Sequence, residues 1–214
     1  MKTDDLILML AQGDVAVPRH VVAKRLIMAL GIGLIASFGL MLAVLGLRPD
    51  LKSASMLPMF WVKLAFAFSM GLIGLIAVKK VARPEGGAIN RTLWAMTFPI
   101  GLIWLLSLIL VAHAPSTQRW HMLLGETWYE CPLLITMLSA PIFIVLLWAM
   151  RSLAPTQLVL AGAAVGLMSG GWGAVVYSLH CPEMGAPFIG TWYLLGILIP
   201  VVIGALLGKT LLRW

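Results

Sequence analysis

Six long apolar runs alternate with short polar segments along the chain. They cover Leu26–Leu47, Trp61–Val78, Leu93–Ala112, Leu133–Met150, Leu158–Leu179 and Phe188–Leu207. A helix needs about 20 mostly apolar residues to cross a bilayer, and it satisfies its own backbone hydrogen bonds there. The pattern therefore predicts an all-α polytopic membrane protein. We expect a six-transmembrane-helix bundle over residues 26–207, between an N-terminal segment of residues 1–25 and a tail of residues 208–214.

The basic residues are divided unequally between the two sides of this bundle. Eleven lie on the side that carries both termini, and three lie on the other: Arg48, Lys52 and Arg119. The positive-inside rule then places both termini in the cytoplasm. The formal net charge of +7 reflects this topology and contact with anionic lipid, with no direct binding of nucleic acid. Lys63 falls inside the second run near its outer end, and we expect its side chain to snorkel to the headgroups.

The apolar runs lack the polar groups that membrane chemistry usually requires. None contains Asp or Glu, and no His lies near the middle of one. Ion-coupled transporters and proton pumps usually carry such groups on their translocation paths. We therefore predict that this protein is not an enzyme, and the apolar runs identify no cofactor. A small-solute or metal transporter of the inner membrane is the alternative function that the sequence leaves open.

Two cysteines fall on the predicted outer side, each directly before a proline. Cys131 precedes the fourth apolar run, and Cys181 follows the fifth. Three interpretations stay open: a permanent disulfide, a reversible thiol pair that senses oxidants or soft metals, and a stable zinc site. A thiophilic metal at the cysteine pair would find further donors nearby. Those possible metal ligands are His180, His121, Glu130 and Glu183.

Glycines recur every four residues in the fifth run, at Gly162, Gly166 and Gly170, and again at Gly204 and Gly208 in the sixth. Stripes of small residues let helix backbones approach closely in lipid. We predict that they serve packing inside the bundle, with a homodimer face as the alternative.

The first residues read as a short helix on the cytoplasmic side. Thr3 suits an N-cap, and Asp4 and Asp5 suit the positive end of the helix that follows. One face of this helix is apolar, formed by Leu6, Ile7 and Leu10. The helix could lie on the membrane surface, but its acidic first turn suits anionic lipid poorly. The alternative is docking to a protein partner.

Several short motifs together resemble the NrsF family, which are bacterial inner-membrane negative regulators of an extracytoplasmic-function sigma factor. They are Met1-Lys2-Thr3-Asp4-Asp5-Leu6-Ile7, Arg48-Pro49-Asp50-Leu51, His180-Cys181-Pro182-Glu183, Thr191-Trp192-Tyr193 and Leu211-Leu212-Arg213-Trp214. The resemblance extends from one end of the chain to the other. It implies an anti-sigma factor that holds the sigma factor at the inner membrane. An oxidant or a heavy metal acting on Cys131 and Cys181 would then release it.

Overall fold

The computed structural model describes residues 21–82 and 90–213, and in these ranges it is helical with no strand. The helices are α1 (Val21–Val44), α2 (Leu51–Ala54), α3 (Pro58–Val81), α4 (Asn90–His113), α5 (Ser116–Leu124), α6 (Glu130–Arg151), α7 (Leu158–Tyr177) and α8 (Ala186–Leu211). Six of them, all except α2 and α5, are long and apolar enough to cross a membrane. The prediction of an all-α membrane protein with six spans is confirmed. The N-terminal docking residues, Thr3 to Leu10, lie outside the described ranges.

Two prolines near the cysteines, Pro132 and Pro187, lie in the first turns of helices, whereas Pro182 lies in the loop before α8. Helix α6 begins at Glu130 and so includes both Cys131 and Pro132 in its first turn, where a missing backbone N–H costs nothing. Helix α8 has a proline in its own first turn and then passes through a π-helical turn, Ile189–Tyr193. Such a turn inserts an extra residue into a helix and is frequent at functional sites.

Helix α7 is the central helix of the bundle. Within its apolar stretch 72% of the residues are buried, against 6% for α4. Helix α7 packs against α8, α3 and α6, and α1 packs on α6. Helix α4 lies at the edge, on α3 and the start of α8. Its exposed apolar side chains suit a lipid environment.

The glycine stripe brings α7 and α8 into backbone contact. Gly162 faces Gly204, and Gly166 faces Pro200. A Cβ atom added at Gly166 would lie 2.6 Å from the Cα of Val201, too close for two carbon atoms. The stripe is therefore used for packing inside the chain, as predicted, and this face is closed to a second copy.

Acidic and basic residues are unequally divided between the two ends of the bundle. The acidic residues in the described ranges all lie at the cysteine end: Asp50, Glu126, Glu130 and Glu183. The opposite end carries a set of basic residues: Lys24, Arg25, Lys79, Lys80, Arg151, Lys209 and Arg213. The predicted orientation rests on the excess of basic residues at one end, and the orientation itself stays a prediction.

Candidate functional site

Cys131 and Cys181 meet in one buried cluster at the acidic end of the bundle. Cys131 lies in the first turn of α6, and Cys181 lies in the loop between α7 and α8. Both are free thiols with no exposed surface. Tyr177 and Tyr193 belong to the same apolar cluster as both cysteines. The sequence predicts that the cysteines share a side of the membrane, and the fold also brings them together.

Lys63 holds the cysteine loop against α3. Its side chain is fully buried, and its Nζ donates to the carbonyl oxygens of Cys181 at 2.9 Å and Glu183 at 3.0 Å. The same ammonium lies 5.7 Å from the centre of the Tyr193 ring, within the range of a cation–π interaction. The prediction that Lys63 snorkels to the headgroups is wrong. Two carbonyls and an aromatic ring solvate its charge inside the bundle instead.

A second cation, Arg48, binds the same carbonyl from the α1–α2 connection. Its Nη1 donates to the Cys181 carbonyl oxygen at 3.1 Å. Its Nε and Nη2 donate to the two carboxylate oxygens of Asp50 at 2.7 and 2.6 Å, the bidentate geometry that makes such pairs strong. Bonding to Arg48 lowers the pKa of Asp50, and the same bonding raises the pKa of Arg48. The Cys181 carbonyl thus joins two positively charged side chains from two different segments.

The residues on either side of Cys181 attach the loop to other parts of the bundle. His180 Nδ1 lies 3.0 Å from the carbonyl oxygen of Gly46, which follows the end of α1 and has a φ of +73°. The Glu183 carboxylate accepts the backbone N–H of Glu126 at 2.8 Å. At the neighbouring Gly125, with φ +58°, a Cβ would lie 2.8 Å from the same carboxyl group. Only a residue without a side chain allows this approach, so the loop is tied down at both ends.

The sequence-predicted metal donors are not gathered around the thiols. His180 and Glu183 make the contacts just described, and His121 and Glu130 are exposed. In residues 21–82 and 90–213, no group of three or more His, Cys, Asp or Glu side chains is arranged to hold a metal ion. The donors inside the cluster are therefore the two sulfur atoms. Beside them the buried hydroxyl of Tyr193 has no hydrogen-bond partner within the described part of the chain.

Sequence reasoning missed the two cations that hold the site together. A signal was present for Lys63, because an ionisable residue inside an apolar span is a functional candidate by default. Arg48 and Asp50 stand two residues apart in a motif that the sequence analysis used only as a mark of resemblance. The bond from Arg48 to the Cys181 carbonyl joins residues 133 positions apart, and no local pattern indicates such a contact.

Comparison with known proteins agrees with the motifs around this site. A family model described as "Negative regulator of sigma F" matches residues 10–214. The chain belongs to the NrsF family. It is 48% identical over 214 residues to a probable anti-sigma-F factor NrsF of Azospira oryzae, and the match covers the whole of both chains. It is 39% identical over 216 residues to the anti-sigma-F factor NrsF of Caulobacter vibrioides, again over the whole of both chains. No solved structure matches.

The NrsF family model covers every residue of the cysteine cluster and of the contacts that hold it. Arg48, Lys63, Cys131, Cys181 and Tyr193 all lie between residues 10 and 214. The resemblance predicted from the sequence is confirmed.

Proposed function

We propose that this chain is a membrane-bound anti-sigma factor that sequesters an extracytoplasmic-function sigma factor at the bacterial inner membrane. An envelope stress signal, an oxidant or a heavy metal, acts on the Cys131–Cys181 pair and releases the sigma factor. The names of the two NrsF relatives support the anti-sigma role. The observation that carries the sensing role is the meeting of both cysteines in one buried cluster, beneath a loop held by Lys63 and Arg48.

Burial of both thiols couples their chemistry to the packing of the helices. The site lies where α6 begins, where α7 ends and where α8 starts, and both thiols are fully buried, so a group added to either sulfur atom would enter the packed interior. Changing the ratio of the releasing to the holding state from 1:99 to 99:1 takes about 5.5 kcal/mol of differential free energy. A disulfide contributes about 2–4 kcal/mol. Disulfide formation alone therefore gives a partial shift between the two states.

Helix α6 offers the most direct route to the other end of the bundle. It carries Cys131 in its first turn and Arg151 in its last. Helix α7 is held by backbone contacts of Gly162 and Gly166 with α8 and of Gly171 with α3. Helix α6 is also closely packed, on Gly33 of α1 and Gly173 of α7, so a shift that starts at Cys131 would be passed to both of these helices.

The cytoplasmic partner site is assigned to the first residues of the chain. The residues proposed to bind the sigma factor are Thr3, Asp4, Asp5, Leu6, Ile7 and Leu10. Their apolar face and acidic start fit a groove on a protein better than an anionic membrane.

Serine substitutions test the sensing role. We expect Cys131→Ser, Cys181→Ser and the double variant to be fixed in one signalling state and to show no response of the sigma-factor regulon to oxidants or metals. Ser178→Cys, which places a thiol at another buried position beside the same loop, is a control that should still respond. Immunoblots of membrane fractions verify that each variant is present at normal levels. A double variant that responds normally would reduce the pair to a structural element.

The transporter alternative gains no specific support from the described residues. The buried charged side chains there, Arg48 and Lys63, lie together at one end of the bundle, where they hold a loop.

A further inference from the structure

Two apolar clefts lie on either side of Trp148 at the basic end of the bundle. One, of about 380 Å³, lies between α1 and α6 and has Arg25 and Ser152 among its lining residues. The other, of about 460 Å³, lies between α6 and α8 and has Arg151 and Leu207 among its lining residues. Trp148 lines both clefts and is 79% exposed. Each cleft therefore combines apolar walls with one arginine.

Trp148 and Arg151 lie on one face of α6, at the end of the helix, and Arg25 of α1 lies beside them. Trp148, Arg151 and Ser152 are spaced three and four residues apart, which places them on the same side of a helix. Arg25 reaches this face from α1, where its Nη1 donates to the Ser152 hydroxyl at 3.3 Å. Two guanidinium groups thus flank one exposed indole.

No acidic side chain of the described ranges balances this charge. The one ion pair found there joins Arg48 and Asp50 at the opposite end. Both Arg25 and Arg151 are exposed, so their N–H donors are accessible to a ligand. A ligand that fits must be negatively charged at the helix ends and apolar beyond them.

We infer that an anionic phospholipid binds here, with its acyl chains in the two clefts and its phosphate between Arg25 and Arg151. Basic pockets between transmembrane helices commonly bind such headgroups, and arginine matches phosphate geometry through paired N–H donors. A zwitterionic lipid adds a cation to the headgroup, which the surrounding positive charge disfavours. This inference is independent of the proposed sigma-factor function.

Native mass spectrometry of the purified full-length protein in detergent tests the site. The protein is titrated with phosphatidylglycerol or with phosphatidylcholine of the same acyl chains. Each basic residue near an anionic lipid contributes roughly fivefold in affinity. We therefore expect Arg25→Gln and Arg151→Gln each to weaken phosphatidylglycerol binding about fivefold, and the double variant about 25-fold if the two contributions add. Lys52→Gln, at an exposed lysine of the opposite end, should bind as the unmodified protein does.

Three results would overturn the inference: equal binding of phosphatidylcholine, an unchanged affinity in the double variant, or an equal loss in Lys52→Gln. If the double glutamine variant fails to fold, the double lysine variant decides, because it keeps the charges. It should bind phosphatidylglycerol better than phosphatidylcholine, and no preference would reject the site.

Discussion

Replacing Lys63 by methionine tests whether this one side chain keeps the cysteine loop closed. Methionine has a similar length and is apolar, so it fills the space of the lysine stem without its three donors. The Cys181 carbonyl keeps its bond from Arg48. The Glu183 carbonyl accepts only from Lys63 among the described side chains. The variant therefore removes two charge-assisted bonds and leaves one partly buried acceptor without this partner.

The expected cost follows from these contacts. A hydrogen bond to a charged group contributes about 1.5–3 kcal/mol, and a cation–π contact such as that with Tyr193 adds about 0.5–2 kcal/mol. Methionine also avoids the desolvation of a buried ammonium, which offsets part of the loss. We expect a net change of about 2 kcal/mol in the free energy of loop opening, or roughly a 30-fold larger open population.

The rate of thiol labelling in native membranes measures that population. Both thiols are fully buried, so a maleimide reaches Cys131 and Cys181 only after local opening. When the loop recloses faster than it reacts, the labelling rate is proportional to the open fraction. Lys63→Met should therefore label about 30-fold faster than the unmodified protein. Lys63→Arg, which keeps a positive charge and its donors, should increase the rate less.

Lys52→Met is the matched control, since Lys52 lies at the same end of the bundle but is exposed. Its labelling rate should not change. An unchanged rate in Lys63→Met, or an equal increase in the control, would show that Lys63 does not hold the loop.

Three further predictions concern the partner segment, the glycine stripe and the ion pair. Leu6→Asp with Leu10→Asp should weaken sigma-factor binding at least 30-fold, about 2 kcal/mol, and derepress the regulon; unchanged repression at normal protein levels would move the contact to residues 79–92 or elsewhere. Gly166→Ala should lower the unfolding temperature, because overpacking costs about 1–3 kcal/mol, whereas Gly101→Ala, where nothing lies within 4 Å of the added Cβ, should not. Bonding to Arg48 lowers the pKa of Asp50 in the folded protein below 3.8. The ion pair therefore stabilises the folded protein fully above that pH, and this stabilisation is lost as the pH falls through the lowered pKa of Asp50. Asp50→Asn should remove this part of the acid sensitivity in unfolding scans from about pH 5 to pH 2, and an identical pH profile would contradict the role of the pair.

The membrane spans and the glycine packing could be predicted from sequence because their causes are local. About 20 consecutive apolar residues are a property of a segment by itself, and so is a glycine at every fourth position. The helices still extend beyond the apolar runs, as at Glu130 and Val21. Polar residues continue a helix at the membrane surface, where water satisfies them, so hydropathy alone does not mark where a helix begins.

The sequence by itself determined the family, the six spans and the presence of two cysteines on one side of the bundle. Only the tertiary structure decided that both cysteines enter one buried cluster, and that Lys63 turns inward to hold the Cys181 loop. The reason is that a buried ammonium needs partners, and the carbonyls of Cys181 and Glu183 that solvate it lie 118 and 120 residues away along the chain. From sequence a lysine near the end of a span fits snorkelling equally well. Whether the Lys63 side chain turns inward or snorkels is decided by which carbonyls the fold brings to within about 3 Å of its nitrogen.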